Sequence, residues 1–168
     1  FQSIIYDLDL SAIKPMTMKL YYIRDIMRGV SDLKREGVSP EEFARIVAQE
    51  AAAFENERPE LSQAVAKRRE SNLKKQQELI LVYQEYEKRL RARLRYDFDD
   101  MIVLVVQAFK KHKLLLREYQ EKLHYFLVDE YQDTNNAQNM VVDLLAGYWG
   151  EQANIFVVGD PHQAIYRF

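Results

Sequence analysis

The stretch that decides the fold is HYFLVDEYQDTNNAQ, residues 124–138, in which an apolar run ends at two adjacent carboxylates. A second apolar run, IFVV at 155–158, is followed by another acidic turn, GDPHQ. Short continuous apolar runs of this composition are typical of strands buried on both faces of a parallel sheet. The polar stretch between them predicts a helix over 135–146, closed by Gly147. Strand, helix and strand together predict one parallel βαβ unit over about 123–158.

The carboxyl ends of the two predicted strands meet at one edge of the sheet, which is where open α/β sheets bind ligands. Asp129 follows the first strand, and an aspartate there can hold Mg²⁺ directly or through water. The adjacent Glu130 can polarise an attacking water as a general base. Gln163, after the second strand, can donate a hydrogen bond to a phosphate or position that water. A simpler explanation stays open at this point, because acidic residues often end strands and cap the next helix.

The chain before residue 97 is predicted to be helical. Apolar residues at helical spacing predict a helix over 17–36. The next helix has the clearest start, with Ser39 as N-cap and Glu42 completing a capping box. Residues 1–15 are ambiguous between a short strand and a linker.

A long helix predicted over about 61–96 contains neither glycine nor proline, and its apolar residues recur at intervals of three, four and seven. Between residues 67 and 95, ten Lys and Arg against four Glu give a local charge of +6, although the whole chain carries −2. Such a helix can bind nucleic-acid phosphates, but a run of Lys and Arg is also typical of a solvated helix face.

The predicted fold class is therefore mostly α with a small α/β part, with helical residues 1–96 followed by the α/β part, residues 97–168.

Composition excludes several other classes of protein. With 48% hydrophobic and 30% charged residues, the chain is not expected to be disordered, and without cysteine it has neither a disulfide framework nor a thiolate metal site. No apolar run approaches the roughly 20 residues of a membrane span. We expect no membrane association and a cytoplasmic location.

The longer pattern favours the nucleotide-site interpretation. VDEYQDTNNAQ, followed about twenty residues later by VVGDPHQAIYRF, resembles motifs II and III of the UvrD/Rep/PcrA-like superfamily 1 DNA helicases. Upstream, YDFDDMI resembles the segment by which that family returns to its motor domain, and IMRGVSDLKREGVSPEEF resembles its inserted helical subdomain 1B. The resemblance implies that residues 1–96 form a 1B-like subdomain. It implies that residues 97–168 are part of a RecA-like P-loop motor domain, 1A.

Carried over onto this sequence, the resemblance implies that Asp129 serves the Mg²⁺ of bound ATP and that Glu130 activates the hydrolytic water. Gln163 would sense the γ-phosphate. Single-stranded DNA would be reached by the closing residues Tyr166, Arg167 and Phe168, since stacking of a base on an aromatic ring contributes about 1–3 kcal/mol. Without the family, the two aromatic residues would more often be packing residues. The parent protein would be an ATP-dependent 3′–5′ DNA helicase or translocase in repair or recombination, with single-stranded and duplex DNA as partners.

The phosphate-binding loop of such helicases, G-x-x-x-x-G-K-[ST], is absent here, since none of the five glycines is followed by lysine. We therefore expect an internal piece of a longer helicase, separated from the other domains of the same chain and inactive alone. An uncovered two-stranded sheet predicts self-association, rearrangement or partial disorder of residues 97–168. Two alternatives stay open: a helicase–nuclease parent of RecB/AddA type, towards which GDPHQAIYRF leans, and a non-catalytic DNA-binding or protein-interaction module.

Overall fold

The computed structural model describes residues 1–160 and 162, and over these residues the chain is mostly helical with one small parallel sheet. This confirms the predicted class of mostly α with a small α/β part. Short 3₁₀ turns precede α4, follow β1 and precede β2. The elements are α1 (Gln2–Asp7), α2 (Ile23–Arg35), α3 (Pro40–Glu57), α4 (Gln63–Ala92), α5 (Phe98–Lys111), α6 (Lys113–Lys122), β1 (Phe126–Val128), α7 (Asn136–Ala146) and β2 (Ile155–Val157).

The chain divides into two compact units. The first contains Phe1–Leu33 and Val38–Tyr96, and the second contains Lys34–Gly37 and the chain from Asp97 onward. The second unit thus includes the last two residues of α2 and the turn after it. Whether the two units correspond to helicase subdomains stays a prediction.

In the first unit, α1 and α3 both pack against the long helix α4. Val82 of α4 is completely buried, in a cluster that also contains Ile4 and Ile5 of α1. A second cluster joins Phe43, Val47 and Phe54 of α3 to Leu73 of α4. Helix α4 therefore carries most of the core of this unit on one side, and most of its charged residues lie on the other side, with Glu78 buried as an exception.

One helix of the first unit was not predicted, and two predicted boundaries are wrong. Residues 1–15 were ambiguous between strand and linker, but Gln2–Asp7 is a helix because Ile4 and Ile5 enter the core. The helix predicted over 17–36 begins only at Ile23. The helix predicted over 61–96 ends at Ala92 because Leu94 adopts a left-handed conformation, with φ 52°.

The predicted helix start at Ser39 is confirmed, and Asp97 caps the start of α5. The Ser39 hydroxyl accepts a hydrogen bond from the Glu42 backbone N–H at 3.1 Å. Asp97 and Asp100 form a reciprocal capping box, each carboxylate accepting from the other's backbone N–H at 2.9 Å. The buried ammonium of Lys34 contacts both carboxylates, at 2.7 Å from Asp97 and 2.6 Å from Asp100. A cation from the end of α2 thus fixes the start of α5 within the second unit.

The two strands pair in parallel, as predicted, with Phe126 opposite Ile155 and Val128 opposite Val157. The three helices of the same unit, α5, α6 and α7, pack on one another. The expectation that both strands are fully buried is wrong for the described residues, because only two strands form the sheet. Leu127 is 80% exposed and its partner Phe156 is 63% exposed, while Phe126 is buried.

Among the described residues, no helix combines the length and the apolar composition that crossing a bilayer requires.

Candidate active site

The acidic pair and the turn after β2 lie at the same edge of the sheet. The Val158 N–H donates to the Val128 carbonyl at 2.8 Å, and the Tyr131 N–H donates to the Val158 carbonyl at 2.9 Å. These two bonds continue the parallel ladder past the strand ends. They bring Asp129 and Glu130 beside the Gly159–Asp160 segment, which is the arrangement that the βαβ pattern predicts.

Glu130 occupies an unusual backbone conformation. Its φ of 50° and ψ of 42° lie in the left-handed region, where a residue with a Cβ is disfavoured. The Asp129 carboxylate accepts a hydrogen bond from the Glu130 N–H at 2.9 Å and so supports the turn from within. The chain then forms a 3₁₀ turn over Tyr131–Asp133. Both acidic side chains are exposed, and water can reach them.

Gln132 connects the two halves of this edge. Its amide nitrogen donates to the Glu130 carboxylate at 2.5 Å, and its amide oxygen accepts from the Asp160 N–H at 2.9 Å. Gln132 belongs to the VDEYQDTNNAQ stretch that resembles motif II. The bridge could not be read from the sequence, because it requires the left-handed turn at Glu130 to fold residue 132 back over residue 130.

The remainder of the motif organises the start of α7. The Thr134 hydroxyl donates to the Tyr131 carbonyl at 2.7 Å, closing the 3₁₀ turn. Asn135 and Gln138 form a reciprocal capping box, with both hydrogen bonds at 2.9 Å. Local capping therefore accounts for these polar residues, and it fixes how the chain leaves the acidic pair.

The donor atoms at this edge suit a hard cation that arrives with a phosphate ligand. Asp129 uses one carboxylate oxygen for the Glu130 N–H, and its second oxygen makes no hydrogen bond to any described residue. Mg²⁺ is commonly held by one or two carboxylates together with water and substrate phosphates. The described residues contain no cluster of three or more His, Asp or Glu side chains that would form a complete protein cage for a metal.

Four predicted site residues, Gln163, Tyr166, Arg167 and Phe168, lie outside the described residues, and their roles stay predictions. Of the segment that leads towards them, Asp160 and His162 are described. The His162 N–H donates to the Asp160 carboxylate at 2.8 Å. The Asp160 backbone thus meets Gln132 while its side chain holds the following turn.

A family model described as the UvrD/REP helicase N-terminal domain matches residues 3–168. The chain belongs to this helicase family. The match covers both units, the acidic pair and the GDPHQ turn of this UvrD/REP chain, and it confirms the resemblance seen in its motifs.

Curated relatives give the same assignment. The UvrD/REP chain is 35% identical to the ATP-dependent DNA helicase PcrA of Bacillus subtilis over 145 residues, which are 86% of this chain and 16% of the relative. It is 34% identical to the ATP-dependent DNA helicase UvrD1 of Mycobacterium tuberculosis over 160 residues, which are 91% of this chain and 18% of the relative. The chain therefore spans less than a fifth of the length of these relatives.

The first unit of the UvrD/REP chain carries a separate group of exposed cations on and just after α4. Four basic residues of this region have a carboxylate partner: Arg69, Lys88, Arg89 and Arg91. Lys75 is exposed, but its ammonium lies over the Tyr22 ring, 5.7 Å from the ring centroid. Five others are exposed and have no carboxylate or aromatic partner among the described residues, and we call them the unpaired basic set: Lys67, Arg68, Lys74, Arg93 and Arg95. Their charge is available to an external anion.

Proposed function

We propose that the protein carrying this chain is an ATP-dependent DNA helicase or translocase that moves 3′ to 5′ on single-stranded DNA. The observation that carries the proposal is the sheet edge where Asp129 and Glu130 meet the Gly159–Asp160 segment. The names of the relatives, which are ATP-dependent DNA helicases, support the same activity. Repair or recombination, in the cytoplasm, is the setting that we propose for it.

In the proposed reaction, Glu130 accepts a proton from the water that attacks the γ-phosphate of ATP in line with the leaving group. Its exposed carboxylate can reach such a water. The free oxygen of Asp129 would hold Mg²⁺, which when bound neutralises charge on the β- and γ-phosphate oxygens. Gln163 would contact the γ-phosphate from the turn after β2. The chain's own contribution is thus a base, a metal ligand and the turn that fixes their spacing.

DNA would be bound by both parts of the chain. We propose that the first unit is a 1B-like subdomain whose unpaired basic set contacts DNA phosphates, and that residues 97–168 are part of a RecA-like motor domain. Tyr166 and Phe168 would stack on bases, with Arg167 beside a phosphate. A non-catalytic DNA-binding module is the second candidate function, because the unpaired basic set supports DNA contact without any nucleotide.

We propose that the 168-residue chain by itself does not hydrolyse ATP. Hydrolysis also needs backbone amides and a lysine to hold the triphosphate, and the sequence contains no G-x-x-x-x-G-K-[ST] loop to supply them. The missing groups would come from other parts of the same polypeptide in the complete gene product.

The test is DNA-stimulated ATP hydrolysis by the complete gene product. Glu130→Gln removes the base but keeps the shape of the side chain, so the turnover rate should fall by about 100-fold or more. Glu151→Gln, at an exposed glutamate in the turn before β2, is the matched control and should leave the rate unchanged. Equal rates for Glu130→Gln and the unmodified protein would contradict the proposed hydrolysis and leave the non-catalytic DNA-binding module as the candidate function.

A further inference from the structure

Gln132 makes the only side-chain bridge in the described residues between the acidic pair and the segment after β2. A primary amide suits this position because it donates at one end and accepts at the other. Its donor end faces the Glu130 carboxylate, and its acceptor end faces the Asp160 backbone N–H. A group that only accepts hydrogen bonds would lose the bond to Glu130, and a group that only donates them would lose the bond from Asp160.

We infer that Gln132 is a positioning residue that couples the orientation of the Glu130 carboxylate to the position of the turn after β2. The inference rests on the proposed function, in which Glu130 is the base and the turn after β2 contacts the γ-phosphate. One oxygen of Glu130 is held by Gln132, and the other makes no hydrogen bond to a described residue. The held oxygen fixes the plane of the carboxylate, and the second oxygen is left for water. A displacement of Asp160 would move the Gln132 amide and thereby rotate the Glu130 carboxylate.

Gly159 supplies an independent observation for this coupling. A Cβ atom at position 159 would lie 2.7 Å from the Gln132 side-chain oxygen and 3.1 Å from the Tyr131 Cβ. The first separation is closer than real Cβ contacts, so a side chain at 159 would push the Gln132 amide away. A small residue is therefore needed at position 159, two residues after β2, where the bridge passes, and the bridge can be disturbed from either strand end.

The contacts around Glu130 show why the Gln132 amide determines the orientation of the Glu130 carboxylate. A left-handed glutamate is held there by surrounding contacts, and the hydrogen bond to Asp129 secures only its backbone. The side chain of Glu130 is exposed. Among the described residues, the Gln132 amide is its single hydrogen-bond partner, so the amide determines its direction.

The experiment compares variants of the complete gene product by steady-state ATP hydrolysis with single-stranded DNA. Gln132→Ala removes both ends of the bridge, and Gln132→Glu keeps the acceptor for Asp160 but removes the donor to Glu130. Both should lower kcat by about 10- to 100-fold and leave the KM for ATP within about twofold, because orientation of the base is lost and nucleotide contacts are kept. Gly159→Ala should reproduce the kcat loss from the opposite side.

The split between kcat and KM separates positioning from a merely structural role, because a variant that no longer formed the turn would also lose affinity for ATP. Gln152→Glu, at an exposed glutamine in the turn before β2, is the control and should change neither kcat nor KM. A full kcat in Gln132→Ala, or a KM for ATP that rises as much as kcat falls, would overturn the inference while Glu130→Gln stays inactive. Full activity of Glu130→Gln would instead overturn the proposed function.

Discussion

Glu78 shows how one buried carboxylate can fix a distant loop. It lies on α4 and is 8% exposed, and its two oxygens accept hydrogen bonds from the backbone N–H groups of Ser11, Ala12 and Ile13 and from the Ser11 hydroxyl. Burial of Glu78 raises its pKa, but the bonds from Ala12, Ile13 and Ser11 outweigh burial, and the net pKa is lowered below its ordinary value. The ionised form therefore stabilises the first unit.

This lowered pKa predicts an acid-dependent loss of stability. A carboxyl whose pKa is lower in the folded state stabilises the fold above its unfolded pKa and loses that contribution as pH falls through the folded pKa. Glu78→Gln should cost about 2 kcal/mol in the free energy of unfolding at neutral pH, and it should flatten the decline of stability below about pH 4.5. Urea unfolding across this pH range measures both effects.

The matched control for Glu78 is Glu50→Gln, at an exposed glutamate of α3. It should follow the unmodified chain at every pH. Parallel acid declines of the Glu78→Gln variant and the unmodified chain would contradict the assignment of acid sensitivity to Glu78.

The structural roles that the sequence could not predict belong to residues whose partners are far away in the sequence. Glu78 and Ser11 are 67 positions apart, and Lys34 and Asp100 are 66 positions apart. Sequence patterns reveal periodicity and local caps, but they do not reveal which distant carboxylate a lysine will contact. Asp129 and Glu130 were predictable because their placement depends only on the end of a strand. Gln132 was recognisable as part of a motif, although its two partners depend on the left-handed turn.

At the scale of elements, helix starts that carry a side-chain cap were predictable from the sequence. Ser39, Asp97 and Asn135 each cap a helix with their own side chain, and that chemistry is visible in three or four consecutive residues. The end of α4 lacks such a signal, because Leu94 takes the left-handed conformation without glycine. The short helix α1 was missed because it is stabilised by burial against α4 and not by its own sequence.

The unpaired basic set on α4 predicts salt-dependent binding of single-stranded DNA by the 168-residue chain. Each lysine or arginine that neutralises a phosphate contributes about 0.7 to the slope of log affinity against log salt. Replacing Lys67, Arg68 and Lys74 together by glutamine should lower the affinity and reduce the slope by about 2. Fluorescence anisotropy of a labelled oligonucleotide at several salt concentrations measures the slope.

A matched variant tests whether DNA contacts α4 or responds only to net charge. Replacing Lys110, Lys111 and Lys113 by glutamine removes the same charge from exposed positions in the second unit. This variant should keep most of the slope. Equal losses in the two triple variants would show that binding follows overall charge, and the assignment to α4 would be wrong.

At the scale of the whole molecule, the sheet exposes an apolar pair. Leu127 and Phe156 are partners in the parallel register and stand on the same face, and both are more than half exposed. A two-stranded sheet with an open apolar face has little independent stability. We therefore expect the isolated 168-residue chain to self-associate through this face.

Analytical ultracentrifugation measures this self-association. Replacing Leu127 by lysine and Phe156 by glutamate should raise the fraction of monomer, because charged residues on the face oppose pairing with a second copy. Leu114→Lys, at an 84% exposed leucine of α6, should not change the distribution. An unmodified chain that stays monomeric at high concentration would contradict the prediction.

The second unit is built from two separate parts of the sequence, so these parts are synthesised at different times. Lys34 leaves the ribosome 63 residues ahead of Asp97, and the residues between them belong mostly to the first unit. At about 5–20 residues per second, Lys34 waits roughly 3–13 s for the carboxylates that will enclose it. During synthesis its ammonium must therefore stay hydrated at the end of α2, and burial of this lysine reports the moment at which α5 has been made.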